Sequence, residues 1–441
     1  LRDQEEYLAG FLDGGGRLFM ISPEYLYDMD ELTPFAEQYL HVWDYVDNVP
    51  MGHWDGIAGD PITDGMSITA AYGLELEDAL WPDLNAKPIL KNEDHDIEIW
   101  PALRYADETY RMIFTTVPWE ELPTIVASNG NGSPTTADEF LVKVYDYLMG
   151  DANTPPTIDK AAADIYVAYV GEEITFTAEA HDIDDDEIAY LWEFGGPDGD
   201  PIDPVATATF KKAFDDPGVY EVLLTVTDER GEWTRKLIGV TVVKPGSVVF
   251  VDDDDADDYQ GGQFDAAFEA LEQDYVAILS ELITGQYGGQ DGLERFRVVW
   301  NCGEEGTLNE AEQNTIAEFL GKGGRLLLCG QEVMYGLGQT PGGMEFARDY
   351  LHVLDVENDV GTAFVTGVED DPVTGNIGKI DLVFPEDFDD WTDSLGVAPE
   401  AHAIFFNDQE EPKPCALRYS NDKHRLVFMA VAFEAFPIEL V

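Results

Sequence analysis

The stretch Phe11–Asp28, FLDGGGRLFMISPEYLYD, returns later in the chain as Phe319–Gly336, FLGKGGRLLLCGQEVMYG. Further matches follow in the same order. QYLHV (Gln38–Val42) pairs with DYLHV (Asp349–Val353), and DPITDG (Asp60–Gly65) with DPVTGN (Asp371–Asn376). ALRYADETYRMIFTTVPWEELP (Ala102–Pro123) pairs with ALRYSNDKHRLVFMAVAFEAFP (Ala416–Pro437). Matches of this span describe a duplicated domain with small loop insertions. Two copies separated by unrelated sequence are not a solenoid. Any fold must therefore hold two like domains and something different between them.

The copies differ at their ends. The second opens upstream with SVVFVDDDDADDY (Ser247–Tyr259), a β-branched strand running into an acidic turn. The helical pattern FDAAFEALEQ comes next, then a second apolar strand in RFRVVWNCGEEG (Arg295–Gly306). The first copy has neither strand, but it continues into TADEFLVKVYDYLMG (Thr136–Gly150), an N-capped amphipathic helix. We therefore expect the first copy to lack two leading strands and the second its final helix. The chain then reads as a window on a longer repetitive protein, or as a protomer completed by another chain. Short apolar strands alternating with amphipathic helices imply a parallel sheet covered on both faces. The expected fold class is two doubly wound, flavodoxin-like α/β domains, residues 1–150 and 246–441, separated by a β-sandwich over 151–245. The pairs Gly15-Gly16 and Gly323-Gly324 follow a helix and precede a strand. That suits a tight helix-to-strand turn and not a phosphate cradle, which needs the reverse order.

Charge narrows the function. Ninety Asp and Glu face 24 Lys and Arg among 441 residues, a net −66, while 44% of residues are hydrophobic and 12% aromatic. The chain is globular, and its surface repels phosphate backbones, so nucleic acid is excluded as a partner. Such a surface draws cations, as in a halophile's solvated coat or an extracellular protein that meets calcium. The three cysteines Cys302, Cys329 and Cys415 are too few and too scattered for a disulfide framework or a CxxC metal site. No apolar run reaches membrane-spanning length, and no signal peptide precedes Leu1.

The middle block alternates with period two and lacks helical runs, as an antiparallel sandwich does. It carries an Asp-rich turn (Asp182–Asp186), then Tyr190-Leu191-Trp192-Glu193-Phe194-Gly195, Pro217-Gly218-Val219-Tyr220-Glu221-Val222, and Val226-Thr227-Asp228-Glu229-Arg230-Gly231. These residues resemble the polycystic-kidney-disease (PKD) type of immunoglobulin-like domain. The resemblance implies a non-enzymatic spacer or adhesion module of extracellular proteins, with Trp192 in the core. It also implies calcium-binding acids at Asp182, Asp184, Asp186 and Asp228, with Asn153 in the preceding linker as a further ligand.

The flanking copies resemble divergent class I glutamine amidotransferase-like domains of large secreted bacterial proteins. The likeness is carried by VFVDDDD, VVWNCG, FLGKGGRLLLCGQE and VFMAVAFEAFP. An active member needs a Cys on a strand-to-helix turn and a His after a late strand. Cys329 stands near the nucleophile position, but its counterpart in the first copy is Ile21. The late-strand His is absent from both copies, leaving only the acids Glu434 and Glu120. His424 precedes that strand, and its counterpart is Tyr110. Without a neighbouring imidazole the thiol stays protonated. The expectation is no catalytic site, the alternative being a cysteine-dependent hydrolase or amidotransferase using Cys329 with His424 or Glu434.

The acids that follow predicted strands, Asp252–Asp255, Glu304, Glu332 and Glu434, with Asn301, could converge at the carboxyl edge of the sheet and hold a hard cation, notably through Asp252, Glu332 and Glu434. They equally suit helix N-termini; the first copy matches Glu332 with Glu24. His41 and His352 coincide in YLHV and read as hydrogen-bonded structural histidines. Asn131 begins a lone NGS glycosylation sequon. The expectation for the whole is a non-catalytic structural or adhesive segment of an extracellular or cell-surface protein, calcium-binding and filament-forming. Its expected partners are further copies of itself, surface proteins or glycans.

Overall fold

The computed structural model describes residues 4–29, 32–69, 77–92, 99–118, 137–150, 152–197, 202–254, 262–285, 287–304, 306–385 and 388–437. The chain is mostly β, 40% strand against 20% helix.

In the first block α1 (Glu5–Asp13) turns into β1 (Arg17–Ile21), followed by α2 (Tyr25–Met29) and α3 (Pro34–Gln38). Thr33 caps α3, accepting from Ala36 N, with Pro34 at the first helical position. The remaining strands are β2 (Val42–Val49), β3 (His53–Gly56), β4 (Ser67–Thr69), β5 (Glu77–Pro82), β6 (Lys87–Asn92), β7 (Ile99–Ala106) and β8 (Arg111–Thr115). They form one sheet in the order β1-β8-β7-β6-β3-β4, with β2 joined through β5 to β7. The helix α4 (Ala137–Met149) packs on β1 through an edge-to-face contact of Phe140 with Phe19.

The middle block holds β9 (Thr157–Ala163), β10 (Val167–Tyr169), β11 (Ile174–His181), β12 (Ile188–Gly195), β13 (Ile202–Val205), β14 (Thr209–Lys212), β15 (Gly218–Asp228) and β16 (Trp233–Val243). They form two sheets, β10-β16-β15-β12-β13 and β14-β11-β9. All pairings are antiparallel except β10 with β16, which is parallel. Between the sheets lie Trp192, Phe176, Val222, Leu224 and Val240. Trp192 is fully buried, and its indole N–H donates to Thr207 O at 2.9 Å. A core aromatic of this size contributes about 2–3 kcal/mol by burial alone.

The second block runs β17 (Val248–Asp252), α5 (Gly262–Ala270), β18 (Tyr275–Leu279), β19 (Arg297–Asn301), α6 (Glu310–Gly321), β20 (Arg325–Cys329), α7 (Val333–Gln339) and α8 (Gly343–Phe346). It continues with β21 (Val353–Glu357), β22 (Phe364–Gly367), β23 (Lys379–Asp381), β24 (Ser394–Val397), β25 (His402–Phe406), β26 (Pro414–Ser420) and β27 (Arg425–Met429). β18-β17-β19-β20-β27 are parallel in that order. Every residue of β17 is buried, as a strand covered on both faces requires. The α5 residues Phe264 and Phe268 pack on one face, and Ile316, Phe319 and Leu320 of α6 on the other. A capping box between Asn309 and Glu312 starts α6.

Beyond β27 the sheet continues antiparallel through β26, β25, β22 and β23, with β21 and β24 in a separate ribbon. This antiparallel half repeats in the first block, where β1, β8, β7, β6, β3 and β4 take the places of β20, β27, β26, β25, β22 and β23. The doubly wound expectation thus describes only part of each domain. In the first block β1 with β8 is the one parallel pair among the described residues, because the chain between them returns as hairpins. Three strands of the second block, not two, have no counterpart among the first block's described residues. The third is β18, five residues long and close behind α5, too short to show a period of its own. After β27 the described residues hold only a 3-10 turn, Phe433–Ala435.

The repeated glycines have the same physical cause in both copies. Gly15 and Gly323 sit at φ 87° and 105°, and a Cβ on Gly16 or Gly324 would meet the ring of Phe11 or Phe319 at about 2.5 Å.

Candidate cation site in the sandwich

Two turns bring the acids of the middle block together. After β11, Asp182 Oδ1 accepts from Asp184 N at 2.8 Å and Asp186 N at 3.3 Å, folding the loop back on itself. After β15, Asp228 Oδ1 accepts from Arg230 N at 2.8 Å and Glu232 N at 2.9 Å. The register Ile188↔Asp228 sets both turns at one end of the sandwich. Oxygens of Asp182, Asp186 and Asp228 then lie within 4.8 Å of one another, the one such group of three among the described residues. The linker adds Asn153, whose side-chain N–H donates to Asp228 Oδ2 at 2.7 Å.

Two oxygens in this group, Asp182 Oδ2 and Asn153 Oδ1, are buried and accept no hydrogen bond. Buried acceptors left unsatisfied cost about 1–3 kcal/mol each. A set of carboxylates plus one amide carbonyl, all hard oxygen donors, suits calcium. Arg230 already leans on the group, donating to Asp186 Oδ2 at 2.6 Å. Asp184 faces elsewhere, accepting from Thr154 N at 2.8 Å with Arg230 at 3.6 Å. The structure therefore gathers Asp182, Asp186, Asp228 and Asn153, and leaves Asp184 to the linker.

The same turns meet the first block. Glu232 accepts from Arg104 Nη2 at 2.9 Å and Nη1 at 3.2 Å, and also from Lys87 Nζ. Arg104 further donates to Asp60 Oδ2 at 2.6 Å. Arg111 of β8 donates to Ala152 O at 2.6 Å and Thr154 Oγ1 at 3.1 Å, fixing the linker. Burial opposes charge on Glu232, but Arg104 and Lys87 together hold its carboxyl below the usual range. Lys87 shares that one acid with Arg104, so burial brings its ammonium down to about 8. Sequence reading missed these residues. Their signal was a cation inside an apolar strand, repeated as ALRY in both copies.

At the edge of the second sheet the cysteine is closed in. Cys329 is 0% exposed, and its thiol donates to Asn301 Oδ1 at 3.3 Å. Asn301 Nδ2 donates to Glu434 Oε1 at 2.7 Å. Burial, then the charge of Glu434, push the Cys329 thiol well above its ordinary range, and burial raises Glu434 too. His424 does not join them. Cys329 pairs with Met429 at one end of β27, whereas His424 precedes Arg425 at the other, roughly 16 Å away along the strand. Of the two partners the alternative offers Cys329, the structure therefore sets Glu434 near it through Asn301 and leaves His424 apart.

Among the described residues the strand-end acids form no group of three with oxygens within 4.8 Å of one another, although two of them meet at Asn301. Asp252 ends β17 buried opposite Asn301, and Glu434 turns to Asn301. Glu332 precedes α7 and acts on Asp393, whose carboxyl burial first, then Glu332, raise to about 7. Glu304 accepts from Asp389 N. Asp253 accepts from Trp300 Nε1 at 2.7 Å, and burial with the neighbouring Glu312 pushes its carboxyl up. Glu434, Glu304 and Asp253 thus each accept from a protein donor, while Asp252 Oδ1 and Glu434 Oε2 are buried without a hydrogen bond. Glu120, Asn131 and Asp255 lie outside the described residues.

The paired histidines are structural. His41 and His352 both adopt left-handed backbone, φ 56° and 60°, and stack on Tyr105 and Tyr419 at 3.7 and 3.6 Å. His41 contacts Asp83 Oδ2 at 2.6 Å and Tyr110 OH at 2.9 Å, and His352 contacts Glu400 at 3.3 Å.

Residues 153–242 match the PKD domain family, and this block is a PKD domain. Solved structures similar to the chain include the PKD1 domain of Vibrio anguillarum Epp, at 24% identity over 21% of this chain and 100% of that one, TM-score 0.18. The PKD1 domain of the Vibrio cholerae metalloprotease PrtV matches at 25% identity over 20% and 96%, TM-score 0.17. A structure of carbohydrate-binding modules of the β-sandwich superfamily matches at 23% identity over 22% of this chain, TM-score 0.19, and the chain covers only 37% of it. No curated protein matches the chain. No described helix is long and apolar enough to cross a membrane.

Proposed function

We propose that this chain is a non-catalytic structural or adhesive segment of an extracellular or cell-surface protein, in which a calcium-stabilised PKD spacer is fixed against flanking amidotransferase-like domains that have lost their chemistry. The observation that carries this reading is the closed surround of Cys329, a buried thiol with an amide and a raised acid beside it and, among the described residues, no hydrogen bond to an imidazole. The parallel order β18-β17-β19-β20-β27, with helices on both faces, supports a flavodoxin-like ancestry for the second flank. Its partners are surface proteins, glycans or further copies of the chain, joined in filaments.

In the spacer, Asp182, Asp186, Asp228 and Asn153 would hold calcium, which supplies charge compensation there. The chain's own part is to pre-set the two Asx turns that aim these oxygens. Because Asp228 orders the backbone carrying Glu232, the site also braces the junction with the first flank.

The enzyme reading fails or survives on one thiol assay. Iodoacetamide at neutral pH should leave Cys329 unmodified in the native chain and label it after denaturation, by peptide mass analysis. Rapid native labelling of Cys329 would restore the catalytic alternative.

A further inference from the structure

Between the first block and the PKD domain lies a cleft of about 340 Å³, a volume within the range of small-ligand sites. One wall is Asn85 with the β7–β8 turn, and the other is Pro155, Pro156 and the first residues of β9 and β16. The strands behind the first wall, β6 and β7, are inner strands of their sheet. Contacts across the cleft fix its width. Asn85 Oδ1 accepts from Arg235 N at 2.9 Å, and Asn85 is itself set by a turn in which Asp83 Oδ1 accepts from Asn85 N and Ala86 N. His181 of the sandwich joins Glu108 at 2.7 Å to Asp159 at 2.8 Å.

One cation in this cleft is left unused. The Arg235 guanidinium lies over Trp233, 4.1 Å from the ring centroid, and its Nε is buried without a hydrogen bond. Among the described residues it forms no ion pair, although carboxylates outnumber cations 90 to 24 in this chain. The acids of the same cleft are taken by other donors. Asp107 accepts from Thr109 N, Tyr110 N and Tyr105 OH, and Glu108 meets His181. A guanidinium stacked on an indole and clear of carboxylates is a pre-set fork for an oxyanion from outside.

The rest of the lining selects the ligand. A polyanion, or a doubly charged phosphate, would meet Asp107 and Glu108 and a net charge of −66. A ligand with one carboxylate and several hydroxyls suits both ends, because the fork takes the carboxylate and the acids accept from the hydroxyls. Pro155 and Pro156 offer apolar faces to the C–H face of a sugar ring.

We propose that this cleft binds a hexuronic acid unit of a surface glycan, an inference that rests on the adhesive reading above. Arg235 holds the carboxylate, Asn85 Nδ2 donates to a neighbouring sugar oxygen, and Asp107 and Glu108 accept from hydroxyls.

The test titrates the intact chain with methyl glucuronoside and methyl galacturonoside, followed by saturation-transfer NMR. Saturable binding with a Kd of about 1 mM or tighter is expected for at least one of them. Methyl glucoside, which lacks the carboxylate, should bind at least tenfold more weakly. Arg235→Gln should weaken uronoside binding at least tenfold at an unchanged melting temperature, and Arg235→Lys, which keeps the charge without the fork, should restore only part of it. Lys211→Gln, an exposed cation elsewhere on the sandwich, should bind as the parent does. Inert Cys329 with no uronoside binding removes the glycan site and leaves the structural reading, whereas native labelling of Cys329 removes that reading itself. No saturable binding of either uronoside up to about 10 mM, equal binding of the glucoside, or indifference to both Arg235 variants overturns the proposal. So does equal binding of a blocked Gly-Asp-Gly peptide, because the cleft then reads a carboxylate without its sugar.

Discussion

The Arg104 guanidinium donates to Glu232 Oε1 at 2.9 Å, joining a strand of the first flank to the turn that presents Asp228. The side chains are 6% and 14% exposed, so this pair is shielded from screening. Arg104 also meets Asp60, and the second block repeats that pair as Arg418 with Asp371 at 2.7 Å. What the first copy adds is the reach into the neighbouring domain.

Removing Glu232 should therefore uncouple domains as well as destabilise them. Glu232→Ala leaves Arg104 with Asp60 and removes the acid that Lys87 pairs with, and breaking a buried pair of this kind costs roughly 3 kcal/mol. Urea denaturation should show one cooperative transition for the first flank and PKD domain splitting into two. The folded pKa of Glu232 lies below its unfolded value, so its contribution is present above about pH 4.5 and fades as pH falls through the folded value.

Asp393 works in the opposite sense. It is 1% exposed, Oδ1 accepts from Asp359 N, Oδ2 is buried without a hydrogen bond, and its pKa is raised to about 7. Between about pH 4 and 7 the folded chain holds a proton that the unfolded chain has released, so stability falls as pH rises through that window. Asp393→Asn should flatten this slope and add on the order of 2 kcal/mol at pH 8. Thermal melts across that range decide it, and a slope unchanged by the substitution would refute the assignment.

A third expectation comes from comparing copies. Tyr110 closes the His41 Nε2 position, but in the second copy His424 replaces the tyrosine, and both His352 Nε2 and His424 Nε2 are buried without a hydrogen bond. His424→Tyr should restore the contact and stabilise the second flank by about 1 kcal/mol. The reciprocal Tyr110→His should destabilise the first by a similar amount. Differential scanning calorimetry reads both, and equal melting temperatures for all forms would show the hydroxyl to be immaterial.

The duplication and the PKD block were legible because they rest on long matched stretches and on period-two alternation around Trp192. The extent of parallel sheet was not. Strands such as His53–Gly56 and Lys379–Asp381 are too short to show a direction, and hairpin or crossover depends on which edge they reach. At the site, acids two residues apart could be seen to share a turn. That Asp184 turns away to Thr154 N, while Asn153 turns inward, is decided by linker backbone. Acid enrichment hid the difference between Asp228 and the strand-end acids, which differ only in the donors packed around them.

The central claim is a calcium-held spacer, and thermal unfolding in matched salts tests it most directly. Calcium at a hundredfold excess over its dissociation constant should stabilise the folded PKD domain by about 2.7 kcal/mol and then saturate. Asp182→Asn/Asp228→Asn keeps the acceptors of both turns but removes two charges. The account predicts that millimolar calcium raises the melting temperature of the parent chain well beyond sodium of equal ionic strength, and that this excess vanishes in the double variant. Equal effects of the two salts, or an excess that persists in the double variant, would contradict it.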